Sequence, residues 1–216
     1  MRACERLIRY AKIHTTSDEK TGSRTPSTGR QLDLSRLLEA ELTNLGFCDV
    51  FVDEHAYVYG IIPATEGCEA LPGIALIAHL DTAPDFSGEN VNPQLVPHYD
   101  GGIVPLGDSG KVLDPEVFPD LKKLVGHTLI TTDGTTLLGA DDKAGIAEIV
   151  TACEEILSEG LPHGRIAVCF PPDEEIGHGA SLLDIGRLGA DFAYTVDGDD
   201  IETVNCETFN AAAAEL

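Results

Sequence analysis

Basic residues are scarce in this sequence: 14 Lys and Arg stand against 37 Asp and Glu, a formal net charge of -23 over 216 residues. A field of that sign repels phosphate backbones and anionic lipid, so binding to nucleic acid or to a membrane surface is disfavoured. The acidic surplus serves solubility or draws in cations, and only particular residues can decide between the two. The cysteines at 4, 48, 68, 153, 169 and 206 contain no C-x-x-C pair and no even spacing. A disulfide framework or structural zinc knot is therefore not expected. Cys153 and Cys169 lie in apolar segments and read as buried thiols of a reducing compartment. An uninterrupted apolar run is lacking as well. Met1 to Thr15 mixes Arg2, Glu5, Arg6, Arg9 and Lys12 with apolar residues at helical spacing, unlike a signal peptide or a membrane span. A cytoplasmic protein is expected. Internal repeats and low-complexity tracts are absent.

What is present is the composition of a globular protein, 43% hydrophobic and 24% charged. Ala3, Leu7, Ile8 and Ala11 share one helical face, and the polar run Thr15 to Thr28 follows as a loop. A second helix is predicted over about Gly29 to Leu45, its apolar side formed by Leu32, Leu34, Leu37, Leu38, Leu42 and Leu45 and its stop by Gly46. Short strands are predicted at Val50 to Val52, Tyr57 to Ile62, Ile74 to Ala78, Leu129 to Thr132, Thr136 to Leu138, Arg165 to Phe170 and Phe192 to Val196, with a helix over Lys143 to Leu157. Strands separated by helices indicate a layered α/β fold whose central sheet is at least partly parallel. Pro84 to Gly126 is rich in Pro, Gly, Asp and Asn and reads as an ordered excursion with one helix near Pro115 to Leu124.

Acidic residues and a histidine fall just after four of these predicted strands: His79 and Asp81, Asp141 and Asp142, Asp173 to Glu175, and Asp197. In open α/β sheets, ligands bind beyond the carboxyl ends of the strands, so the clusters are expected to converge on one rim. Each taken alone has a plainer reading. A histidine after a strand is commonly a hydrogen-bonded structural residue, Asp141 and Asp142 could cap the following helix, and Asp81-Thr82 could be a surface turn. Together, one imidazole and several carboxylates make an N/O donor set suited to zinc or a similar divalent ion. In an extended segment His79 and Asp81 point the same way, so Asp81 could accept the second imidazole N–H and fix the tautomer that binds metal. Of the adjacent Glu174 and Glu175, one can bind metal while the other takes a proton from the attacking water and returns it to the leaving amine.

Three blocks, His79-Leu80-Asp81-Thr82, Gly139-Ala140-Asp141-Asp142-Lys143-Ala144-Gly145 and Pro172-Asp173-Glu174-Glu175-Ile176-Gly177, resemble the signatures of the M20 zinc metallopeptidases, a family of aminopeptidases, dipeptidases and deacylases. Pro26-Ser27-Thr28, Asp85 to Gln94, Thr131-Thr132-Asp133-Gly134 and Tyr194-Thr195-Val196-Asp197-Gly198 are similar to its tripeptide aminopeptidase branch, and the likeness runs over almost the whole chain. The resemblance implies an α/β, zinc-exopeptidase-like three-layer sandwich with a central mixed, largely parallel sheet, incomplete at its C-terminus. It implies two Zn2+ ions per complete site, with His79 and Asp197 on one, Glu175 on the other and Asp141 bridging both. Glu174 would be the general base, Asp81 would orient His79, and the Asp141–Asp142 peptide bond would be cis.

The same resemblance implies that residues 1–207 are the N-terminal part of the catalytic domain and that 208–216, with Phe209-Asn210-Ala211-Ala212, lead into a lid domain. The family's last zinc-binding histidine has no counterpart in this chain, so weak binding of the second zinc and low or no peptidase activity are expected of it. The activity expected is release of the N-terminal residue of tripeptides. A related dipeptidase, an N-acyl amino-acid deacylase, and a non-catalytic fragment or pseudoenzyme are the alternatives. Expected partners are short peptide substrates and, where the lid is present, a second copy in a homodimer; nucleic acid and membrane are not expected.

Overall fold

A computed structural model describes residues 1–198 and 203–206. Helix α1 (Ala3–Ala11) is followed by the long α2 (Gln31–Leu45), which stops where Gly46 takes a left-handed φ of 93° and donates its N–H back to Leu42 and Thr43. A side chain resists that conformation and glycine does not. The chain then forms β1 (Cys48–Val52), β2 (Val58–Ile62) and β3 (Ile74–Ile77). Farther on, after the small strands β4 (Gln94–Val96), β5 (Val104–Pro105), β6 (Val112–Leu113) and β7 (Leu129–Thr131), come α3 (Ala140–Glu159), β8 (Ile166–Phe170), the short α4 (Ile185–Leu188) and β9 (Phe192–Thr195).

The central sheet has the order β1-β2-β8-β3-β9. Strands β3, β8 and β9 are parallel, β2 is antiparallel to β8, and β1 is antiparallel to β2. Four of the five strands therefore point the same way, and β2 alone runs against them. Strand alternation divides the core. Ile166, Val168 and Phe170 of β8 face one side with Leu38, Leu42, Ile146 and Val150 of the helices. Ala167 and Cys169 face the other, with Tyr59, Ala75 and Leu188. Helices thus cover one face and α4 the other, which makes three layers. All four residues of β9, at the edge, are exposed. The thiols of Cys153 and Cys169 are fully buried.

The predicted strand over Thr136 to Leu138 does not form. Its β-favouring residues find no neighbouring strand: Leu137 donates its N–H to the Ser87 carbonyl, and Thr136 accepts from the Thr132 hydroxyl. Asp141 and Asp142 thus emerge from an irregular segment leading into α3. The excursion after Pro84 is more structured than its composition suggested. Its β4 pairs with β7, just beyond the excursion's end, and its β5 pairs with β6, closed over Tyr99, Val104 and Leu129. The run at 129–131 accordingly belongs to this small sheet and not to the central one. Its helix is a 3-10 segment, Pro119–Leu124. No helix among the described residues is long and apolar enough to cross a membrane.

Candidate metal centre

Parallel register brings three of the acidic clusters together. Ile77 of β3 pairs with Cys169 of β8 and Thr195 of β9, so the three strands end at one rim. His79 with Asp81, Asp173 to Glu175, and Asp197 follow those ends in turn. The fourth cluster arrives from the start of α3, where Asp141 and Asp142 have non-helical torsions and are joined by a cis peptide bond.

His79 is 2% exposed and lies at the centre. Its Nδ1 is 3.0 Å from the Asp81 carbonyl oxygen, which can only accept, so Nδ1 carries the proton. Nε2 is thereby aimed at carboxylates: Asp141 Oδ1 at 2.9 Å, Glu174 Oε2 at 3.8 Å and Asp197 Oδ2 at 3.9 Å. One donor atom each from His79, Asp141 and Asp197 lies within 4.8 Å of the other two. Beside them an open cavity of about 670 Å³, lined by Asp141, Asp197, Gly145 and Glu148, leaves room for a ligand.

The electrostatics favour a cation at this point. Burial pulls the His79 imidazolium down, but Asp81, Asp142 and Asp197 outweigh it and raise the group to about 10. Burial, then the charge of Asp197, pushes Asp142 up to about 8. Glu174, Glu175 and Asp197 are also raised, first by burial and then through the balance of His79 against neighbouring carboxylates. Gathered carboxylates repel one another, and an extra proton on the imidazole relieves part of that repulsion. A divalent ion relieves it better, and a lone pair with several carboxylate oxygens is the donor set such an ion takes. The residues present therefore fit a metal.

Around this centre the remaining site residues divide their tasks. Asp142, and not Asp141, realises the capping alternative: its carboxylate accepts from Gly145 N–H at 3.2 Å in α3 and from His79 N–H at 3.2 Å. Asp81, fully buried, holds the imidazole through its carbonyl, with its carboxylate 3.4 Å from Nδ1. That carboxylate instead accepts from the amides of Glu174 at 2.9 Å and Glu175 at 3.3 Å. The Glu175 carboxyl stands outside the three-residue group, within reach of the Asp141 charge. Asp173 turns away from the rim altogether and is buried against Ser27 and Gln31.

Sequence reasoning missed Gln31 and the buried Lys143. Lys143 donates its Nζ to the Ile13 carbonyl at 2.7 Å and is lowered to about 7 by burial, against the opposing charge of Asp81. A lysine inside an otherwise apolar helix face was the one available signal. Nothing marks Gln31 as a partner of a residue 142 positions away.

No family model matches the sequence. Solved structures share the fold: aminopeptidase PepT from Bacillus cereus has a TM-score of 0.65 at 24% identity, over 92% of this chain and 43% of that one. A tripeptidase from Staphylococcus aureus has a TM-score of 0.63 at 26% identity, over 91% and 43%. The layered sheet is shared with these solved peptidases, and the converging imidazole and carboxylates fit a metal cofactor. Among curated sequences, peptidase T of Exiguobacterium sp. is 54% identical over 214 residues, covering 98% of this chain and 52% of the relative. Over nearly its whole length the chain is similar to curated peptidase T sequences, at 54% and 55% identity. It spans about half the length of the curated relatives it matches.

Proposed function

We propose that this chain supplies the larger part of a two-zinc centre in a tripeptide aminopeptidase, and that residues 1–207 are catalytic-domain sequence. Residues 208–216, read as the approach to a lid, lie outside the described residues. In this reading His79 and Asp197 would hold one zinc, Glu175 would hold the other, and Asp141 would serve both. The observation that carries it is the buried imidazole Nε2 facing carboxylate oxygens of Asp141, Glu174 and Asp197 at 2.9, 3.8 and 3.9 Å.

Bound there, the cations supply Lewis acidity that polarises a peptide carbonyl and makes a water nucleophilic near neutral pH. The chain's own groups do the rest. Glu174, half exposed at the rim, takes the proton of the attacking water and returns it to the amine that leaves. Burial raises its carboxyl, which brings the base closer to the pH at which it must both accept and donate. Asp81 fixes the imidazole tautomer and holds the amides of Glu174 and Glu175, so that base and ligands keep one geometry. The substrate is a short peptide with a free amino end, the location cytoplasmic, and the assembled protein a homodimer formed through the lid.

The experiment is metal analysis together with product analysis, on this chain and on a version extended to the length of its curated relatives. Zinc bound by both, and free N-terminal residue released from a tripeptide by the longer one, is the expected result. Cleavage of an N-acetylated amino acid in preference to the tripeptide would move the assignment to a deacylase. Absence of metal from both would end it.

A further inference from the structure

The turn that carries Glu174 and Glu175 is gripped from two directions. From the β3 side, the Asp81 carboxylate holds the amides of both glutamates. From the other side the grip comes from Asp173, a residue with 0% exposure and a φ of 58°. Its carboxylate accepts from Ser27 N–H at 2.7 Å, from the Ser27 hydroxyl at 2.5 Å and from Gln31 Nε2 at 2.6 Å. Its own N–H donates to Gln31 Oε1 at 3.2 Å, so the Gln31 amide reads main chain and side chain of the same residue. Gln31 is itself 0% exposed and Ser27 3%.

A carboxylate buried with only neutral donors costs desolvation, and a left-handed non-glycine residue costs backbone energy. Both costs are local to one turn, and an apolar residue in a relaxed conformation would avoid them. What the arrangement supplies is rigidity: a fully satisfied buried network permits one geometry, and here that geometry belongs to the two residues next along the chain. His178 N–H on the Asp173 carbonyl at 2.9 Å and Gly177 N–H on the Glu174 carbonyl at 2.7 Å close the turn behind them.

We infer that Asp173, Gln31 and Ser27 form a positioning unit that pre-organises Glu175 for the metal and Glu174 for its proton, coupling the start of α2 to the rim. The inference rests on the metal-centre reading above and adds to it residues that touch neither metal nor substrate. Outer partners of this kind hold ligands in place, and their loss costs about 10- to 100-fold in metal affinity.

The test uses the chain extended to the length of its curated relatives, zinc as the probe, and two readouts: calorimetric zinc affinity and amide hydrogen exchange over residues 172–178. Variants are Gln31→Leu, Ser27→Ala and Ser27→Thr, the first two also combined with Glu175→Gln. The inference expects faster exchange at the Glu174 and Glu175 amides and zinc affinity lower by about 10-fold in Gln31→Leu. Ser27→Ala should move both readouts the same way, and Ser27→Thr, which keeps the hydroxyl, should restore them. Glu175→Gln should weaken zinc in the parent and add nothing in the loosened backgrounds, because a ligand already misplaced has nothing further to lose. Unchanged exchange, faster exchange with unchanged affinity, or an equal cost of Glu175→Gln in every background overturns it. If Gln31→Leu fails to fold, the Ser27 pair decides alone. A parent whose zinc affinity ignores His79→Ala sinks the metal centre and the inference with it. A parent that responds to His79→Ala while the clamp variants bind as it does sinks the inference only.

Discussion

Glu174 and Glu175 are adjacent, yet the rim gives them different neighbours. Glu174 Oε2 looks at the imidazole from 3.8 Å, while Glu175 responds to Asp141. Glu174→Gln keeps the shape and removes the proposed base. In a protein of full family length it should lower tripeptide turnover by about 10²- to 10⁴-fold while zinc affinity stays near that of the parent, as steady-state kinetics and calorimetry would read it. Away from the rim, Cys153 makes a separate point about burial. Its thiol, fully enclosed, is pushed from 9.0 up to about 12. Over that window the unfolded chain has lost a proton that the folded chain keeps, so stability from this group is whole below the lower value and drains as pH rises toward the upper one. Urea midpoints should therefore fall on the alkaline side of pH 9.0, and fall less steeply in Cys153→Ala.

At the scale of elements, the junction of α3 with the tail of β9 decides whether Asp197 can meet Asp141. Gly145 lies in that junction, and a Cβ there would overlap the Val196 carbonyl and Asp142 Oδ1. Its N–H also bonds Asp142, whose other oxygen holds the His79 amide. Gly145→Ala must push the strand tail off the helix. Overpacking of this kind costs about 1–3 kcal/mol, and the displacement should carry Asp197 away from the imidazole. Urea unfolding should report the first effect and reduced zinc affinity the second; a variant that binds zinc as the parent does would show that the junction does not position Asp197.

For the whole molecule, a net charge of -23 sets the behaviour in solution. Carboxylates repel one another across the surface, and added salt screens that repulsion over roughly 10 Å at 0.1 M. The melting temperature should rise as sodium chloride is added at low ionic strength. Zinc should raise it further by mass action, by about 2.7 kcal/mol of stability at a hundredfold excess over its dissociation constant. Calorimetry of the parent and of His79→Ala separates these: the salt effect belongs to both, the zinc effect to the parent alone.

Element order was legible from the chain because it depends on local periodicity. The helical spacing of Leu34, Leu38 and Leu42, the apolar runs that became β3 and β8, and Gly46 as a stop all carry their meaning within a few residues. So did the candidate donors, since imidazole and carboxylates at strand ends are chemically conspicuous. The failed strand at Thr136 to Leu138 and the small sheets of the excursion were not legible, because β-pairing needs a partner and partners are chosen across the fold. Only the tertiary structure decided that Asp142 caps while Asp141 faces His79, that Asp173 turns inward to Gln31, and that Asp81 shares its carbonyl and carboxylate between an imidazole and two amides. Residue type sets what a side chain can do, and the direction in which the packed backbone aims it sets which of those things it does.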